Sequence, residues 1–146
     1  MRALILPAIF LSLLVACDRP PSTANSDLDA LQGTWTLSYF ERDGTETKLE
    51  SVTQAINTGN NFVVKRGSQV VAAGTVILIP GTSPKASDTT YSKGQDAGKT
   101  FKGIYQIDGD TMKFCRAGTP EGERPTEFKS KPNSGQFFAI YKRAPK

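Results

Sequence analysis

From Gly33 to Arg143, apolar residues recur at every second position in short runs separated by glycine, proline, asparagine and aspartate. A two-residue period marks extended backbone, because successive strand side chains point to opposite faces. It predicts strands at Gly33–Arg42, Asn61–Arg66, Gln69–Ile79, 86–91, 101–107, Thr111–Arg116 and 136–143. The first of these, "GTWTLSYFER", is rich in the aromatic and β-branched residues that suit a pleated surface. Asp43-Gly44, Gly67-Ser68 and Asp108-Gly109-Asp110 supply turn residues between neighbouring runs and predict hairpins. The stretch "KLESVTQAI" (48–56) alone carries a helical rhythm and predicts one short helix.

Seven or eight short strands joined by hairpins specify an antiparallel barrel or sandwich. Several strands are apolar on both faces: Phe101, Tyr105 and Ile107 alternate with Ile104, and Phe137 and Tyr141 with Phe138 and Ile140. Closure into a barrel removes the exposed edges such strands would leave. An eight-stranded barrel is just wide enough to be filled by side chains or to hold one small ligand. The expected fold is therefore all-β, an antiparallel barrel of about eight strands with one short helix.

The chain opens differently. Arg2 precedes an unbroken apolar run over 3–15, followed by the small Ala16 and by Cys17. A bilayer-crossing helix needs roughly 20 apolar residues, and this shorter run has the three-part layout of a secretory signal peptide. "LVAC" (14–17) resembles the lipobox of bacterial lipoproteins, in which the cysteine sulfur receives a diacylglyceryl group and the cysteine becomes the acylated first residue. That resemblance implies removal of 1–16, lipidation with palmitate-type chains at Cys17, and anchoring to a membrane of the bacterial cell envelope on its extracytoplasmic side. One acyl chain holds only marginally, each buried methylene contributing about 0.8 kcal/mol, so the several chains of a lipoprotein are needed for stable anchoring. Asp18 resembles the signal that retains some lipoproteins in the inner membrane. Residues 18–27, "DRPPSTANSD", are polar and rich in proline and serine, the composition of a flexible tether. The expected organisation is a signal peptide at 1–16, lipidated cysteine and tether at 17–27, and a barrel domain at 28–146.

Composition removes whole chemistries. There is no histidine, so Ser-His-Asp and Cys-His catalysis and a histidine-built zinc site are excluded. With Cys17 lipidated, Cys115 has no partner for an intrachain disulfide and, within an alternating strand, is expected to be a buried, inert thiol. Asp108 and Asp110 begin like a calcium loop, but no glutamate follows at the required spacing, and a tight turn explains them better. No metal or cofactor is called for, and no enzyme is expected. Loss of Arg2 leaves 17 basic against 14 acidic side chains, spread along the chain without a block that would call for nucleic acid. A monomer is expected.

"GTW" (33–35) resembles the glycine-x-tryptophan opening of lipocalins. With "LQGTW" (31–35), "AGKTFKGIYQIDGDTMKFC" (97–115), "RPTEF" (124–128), "PNSGQ" (132–136) and the closing "YKR" (141–143), it resembles a family of lipocalin-like bacterial domains abundant in planctomycetes, whose biochemical function is unassigned. The resemblance implies that Trp35 closes one barrel end as a structural clasp and that Arg143, or Lys142, packs over it. Arg124 and Glu127 suit either a salt bridge pinning a long loop to the barrel rim or a clasp for an anionic ligand, and Asp88 reads as solvated. Two functions follow: a lipid-anchored barrel binding a small apolar or amphipathic ligand, or a solid barrel whose loops engage an envelope or secreted protein, for example as an inhibitor. A cavity of several hundred Å3 would favour the first.

Replacing Cys17 with Ser is expected to abolish incorporation of labelled palmitate and release the protein from the membrane fraction. Incorporation at the wild-type level would defeat the anchoring argument, and fractionation that finds the wild type only in the outer membrane would reject the sorting role of Asp18.

Overall fold

The computed structural model describes residues 24–146; the expected signal peptide, Cys17, Asp18 and the first part of the expected tether lie outside the described residues. One helix, α1 (Ala24–Leu31), precedes nine strands: β1 (Gly33–Arg42), β2 (Thr45–Glu46), β3 (Thr53–Thr58), β4 (Asn61–Arg66), β5 (Gln69–Ile79), β6 (Ala86–Lys93), β7 (Thr100–Asp108), β8 (Thr111–Arg116) and β9 (Phe137–Arg143). Every pairing is antiparallel, and β3 to β9 follow one another in order around the sheet. β1 pairs with β3 on one side and β9 on the other, so eight strands close into a barrel, while β2 only extends the far end of β1. The antiparallel barrel of about eight strands expected from the two-residue period is therefore present.

The short helix is elsewhere than the rhythm over 48–56 suggested. Residues 53–56 of that stretch belong to strand β3 (Thr53–Thr58), with Ala55 and Asn57 buried on the inner face. Its threonines and Ile56 are β-branched, and pairing with β1 and β4 fills a place in the barrel wall that a helix could not. The helix α1 takes Ala24–Leu31 instead, so the last four residues assigned to the tether are helical. Eight residues are too few for a stable isolated helix, and this one is held by tertiary contacts. Leu31 is buried with Trp35, Val76 and Met112, and Leu28 packs against the same cluster. Asp27, in the first turn, is buried and accepts hydrogen bonds from Tyr105 Oη and Lys85 Nζ, both at 2.7 Å.

The helix thereby lies across the barrel end at which β1 starts and β9 finishes. Gly33 turns the chain from helix to strand at φ +100°, a conformation costly for any residue with a Cβ. Trp35 is fully buried and donates from Nε1 to Leu31 O at 2.8 Å. The Arg143 guanidinium sits 4.1 Å from the Trp35 ring centroid, donates to Gln32 O (2.8 Å) and Ala30 O (2.7 Å), and pairs with Asp110 at 3.1 Å. These carbonyls end the helix and would otherwise lack partners, and a cation there also complements the helix dipole. Lys142 points away, to Thr111 Oγ1 at 2.8 Å.

The second apolar face has its own cover. Ile104, Cys115 and Phe138 form an outer cluster with Tyr39, Phe128 and Ile140. The long connection 117–136 is fastened over it: Ser130 N and Oγ donate to Glu41 Oε1 at 2.6 and 2.8 Å, and Cys115 Sγ lies 3.4 Å from Lys129 O. Strands apolar on both faces thus have the interior on one side and this connection on the other.

Trp35→Ala is expected to destabilise the fold by about 3–5 kcal/mol. Arg143→Ala should cost about 2–3 kcal/mol, since it removes a cation–π contact and strands two carbonyls. A double-mutant cycle by urea denaturation should return a coupling energy of about 1 kcal/mol; additive effects would show that the two side chains do not act together.

Candidate functional site

With one end closed by α1, the barrel encloses a cavity of about 640 Å3 that opens at the other end. Its floor is apolar, made by Leu31, Val76, Leu78, Met112 and Tyr141. Small or short residues, Thr53, Ala55, Ala72 and Thr89, occupy inward positions along the wall, and the space a larger side chain would fill is left open. Gly74 serves a different need: a Cβ there would lie 2.0 Å from Thr90 O and 3.0 Å from the Phe62 ring, so only glycine lets β5 and β6 approach at their bulge.

The mouth is charged. Arg42, Lys48, Arg66, Lys93 and Arg116 line the cavity with only Glu50 and Asp96 of opposite sign. Arg116 is the most enclosed of them, 5% exposed. Its guanidinium lies 3.7 Å from the Phe101 ring centroid, 4.6 Å from Phe137 and 4.9 Å from Tyr91, and Nη2 donates to Asp96 Oδ2 at 2.6 Å. Arg116 Nε and Nη1 have no hydrogen-bond partner in the protein, and neither do the buried Ser87 Oγ, Thr89 Oγ1 and Asn57 Nδ2. All four residues line the cavity. Such a group is unusual, since an unsatisfied buried donor or acceptor costs about 1–3 kcal/mol.

The structure brings Trp35 and Arg143 together at the barrel floor, outside the cavity chemistry. It joins Arg124 to Asp88 rather than to Glu127. Arg124 donates to Asp88 Oδ1, Ser87 O and Gly103 O, each at 2.8 Å, and so ties the connection 117–136 to β6 and β7. Asp88 is consequently half-buried and paired, not solvated as its polar surroundings suggested, whereas Glu127 faces Lys129 at 3.6 Å in solvent. Asp108 and Asp110 are exposed in the turn after β7. Cys115 is buried, and burial pushes its thiol up to about 12, with Glu41 and Glu127 adding to the rise. Among the described residues, no group of three or more histidine, cysteine, aspartate or glutamate side chains could hold a metal ion, and no helix is long and apolar enough to cross a membrane.

Arg116, Ser87, Thr89 and Asn57 were not singled out from sequence. The signal was available in the alternation itself: Arg116 shares strand parity with Met112 and Phe114, and Thr89 with Ser87 and Tyr91, so these polar groups fall on the cavity face. No family model, curated protein or solved structure matches the chain.

The buried groups predict how stability depends on pH. Burial raises the pKa of Cys115 and of Tyr105 and Tyr141, so the folded state retains protons that the unfolded chain releases. Their contribution is full below the unfolded values, near pH 9 for the thiol, and is lost as pH rises toward the folded values. The unfolding free energy from urea denaturation is expected to fall steadily between pH 9 and 11, by about 1.4 kcal/mol per pH unit for each group titrating only in the unfolded chain. Cys115→Ala should flatten the first part of that fall; an unchanged slope would exclude the thiol as a contributor.

Proposed function

We propose that this protein is a lipoprotein of the bacterial cell envelope, tethered through acyl chains on Cys17, whose lipocalin-like barrel binds one small apolar or amphipathic molecule. The observation that carries the binding reading is the cavity of about 640 Å3, within the range of small-molecule sites. An apolar floor with a few convergent polar groups nearer the mouth is the usual make-up of such a site. A hollow interior favours this reading over a solid barrel whose loops engage a protein partner.

Anchoring rests on the apolar run and the "LVAC" stretch ending at Cys17. The barrel acts by binding and not by chemistry: no histidine is present to move protons near neutral pH, and the one cysteine in the barrel is held as a thiol. Its partners are the membrane, through the lipid, and the ligand; the domain works as a monomer.

Native mass spectrometry of the full chain extracted from membranes should find one small molecule bound per protein. Val64→Trp, which projects an indole into the cavity from β4, should lose it while keeping the far-ultraviolet dichroism of the wild type. Wild-type protein without a bound molecule, or a folded Val64→Trp variant that retains one, would overturn the reading.

A further inference from the structure

We propose that the cavity recognises an amphipathic molecule by an oxyanion head, a carboxylate or a phosphate, set against the edge of the Arg116 guanidinium beside the hydroxyls of Ser87 and Thr89. The proposal rests on the binding reading above and adds to it the class of ligand and the side chains that hold its head. A guanidinium offers five N–H donors in its plane and no acceptor. At Arg116 the guanidinium carbon lies within 4.9 Å of the Phe101, Phe137 and Tyr91 ring centroids, and Asp96 takes Nη2 alone. What remains for recognition is donor capacity at Nε and Nη1, buried without a partner on a residue that lines the cavity. An in-plane oxygen acceptor fits that geometry, and a charged one gives the shorter, stronger bond.

The neighbouring groups have the same preference. Strand register sets Ser87 opposite Gly103 and Gly103 opposite Arg116, so the residue between the hydroxyl and the guanidinium carries no side chain. Thr89 stands opposite Phe101, whose ring stacks on Arg116. Both hydroxyls are buried without a partner and can donate to the same head. Arg124 holds this strip from outside by taking the carbonyls of Ser87 and Gly103, which fixes the hydroxyl and the guanidinium relative to each other. Five basic side chains against two acidic ones around the cavity offset the charge that a second anion would add beside Asp96. Leu78 and Val76 stand opposite Ser87 and Thr89 on the neighbouring strand, so apolar wall for the tail adjoins the head.

The test is calorimetric titration of the full chain in lipid nanodiscs, with empty discs as the blank, against decanoate, decyl phosphate and decan-1-ol. At least one of the two anions should bind about tenfold or more tightly than the alcohol, the worth of one hydrogen bond to a charged group, and the tighter anion identifies the head. Arg116→Gln should bring that anion down to the affinity of the alcohol while leaving alcohol binding within about twofold, and Ser87→Ala should weaken the anion alone. Equal affinities for all three ligands in the wild type would overturn the head-group proposal and leave the binding reading standing, whether or not the variants fold. An anion preference retained in folded Arg116→Gln would also overturn it. Binding of none of the three would overturn the proposal together with the reading beneath it.

Discussion

One guanidinium holds the two ends of the domain together. Arg143 belongs to the last strand, yet its donors reach the carbonyls that finish the first helix, and its face lies on the tryptophan of the first strand. A helix of eight residues has no independent stability. Here its final carbonyls are satisfied by Arg143 and Trp35, Leu31 is buried in the barrel floor with Leu28 packed against it, and its one buried carboxylate is bound by Lys85 and Tyr105. The cavity exists as a cup because that helix is in place. Without it the interior would be open at both ends, with Val76 and Met112 exposed to water.

The same economy of positions explains the strands that are apolar on both sides. In a barrel with a solvated exterior, outward residues would be polar. β7, β8 and β9 depart from that rule because the connection 117–136 lies against them, pinned by Arg124 on one flank and by Ser130 on Glu41 on another. Burial pushes the Glu41 carboxyl up, but the Ser130 amide and hydroxyl, the Tyr39 hydroxyl and the Lys129 charge outweigh it and hold the group below its ordinary value. A segment with no regular structure of its own is thus fixed by ionic contacts at places where strand side chains face outward.

How much of this could be read from the chain depends on the range of the interactions involved. Strand positions follow from a local period, and four strands, Gly33–Arg42, Asn61–Arg66, Gln69–Ile79 and Thr111–Arg116, have the ends that the residues predict. The helix was misplaced because its stability is entirely tertiary: "ANSDLDAL" has little apolar rhythm, and only the floor it covers makes Leu28 and Leu31 sufficient. Conversely, "KLESVTQAI" carries a rhythm that the vacant place between β1 and β4 overrides. The cavity chemistry was partly visible, since parity assigns Arg116, Ser87 and Thr89 to the inner face. The choice of Asp96 and Asp88 as ionic partners was not, because each pairs with a residue at least 20 positions away along the chain.

The order of the strands also has a kinetic side. Around the barrel each strand pairs with one nearby in sequence, so most ladders form by closing short loops, which costs little entropy. The exception is the seam between β1 and β9, where Trp35 meets Arg143. The most distant pairing in the sheet is there, and folding slows as contacts become more distant along the chain. Until the final strand arrives, β1 and β8 are open edges able to pair with another chain. The residues of β9 therefore decide when a sheet that could add further strands becomes one that is closed.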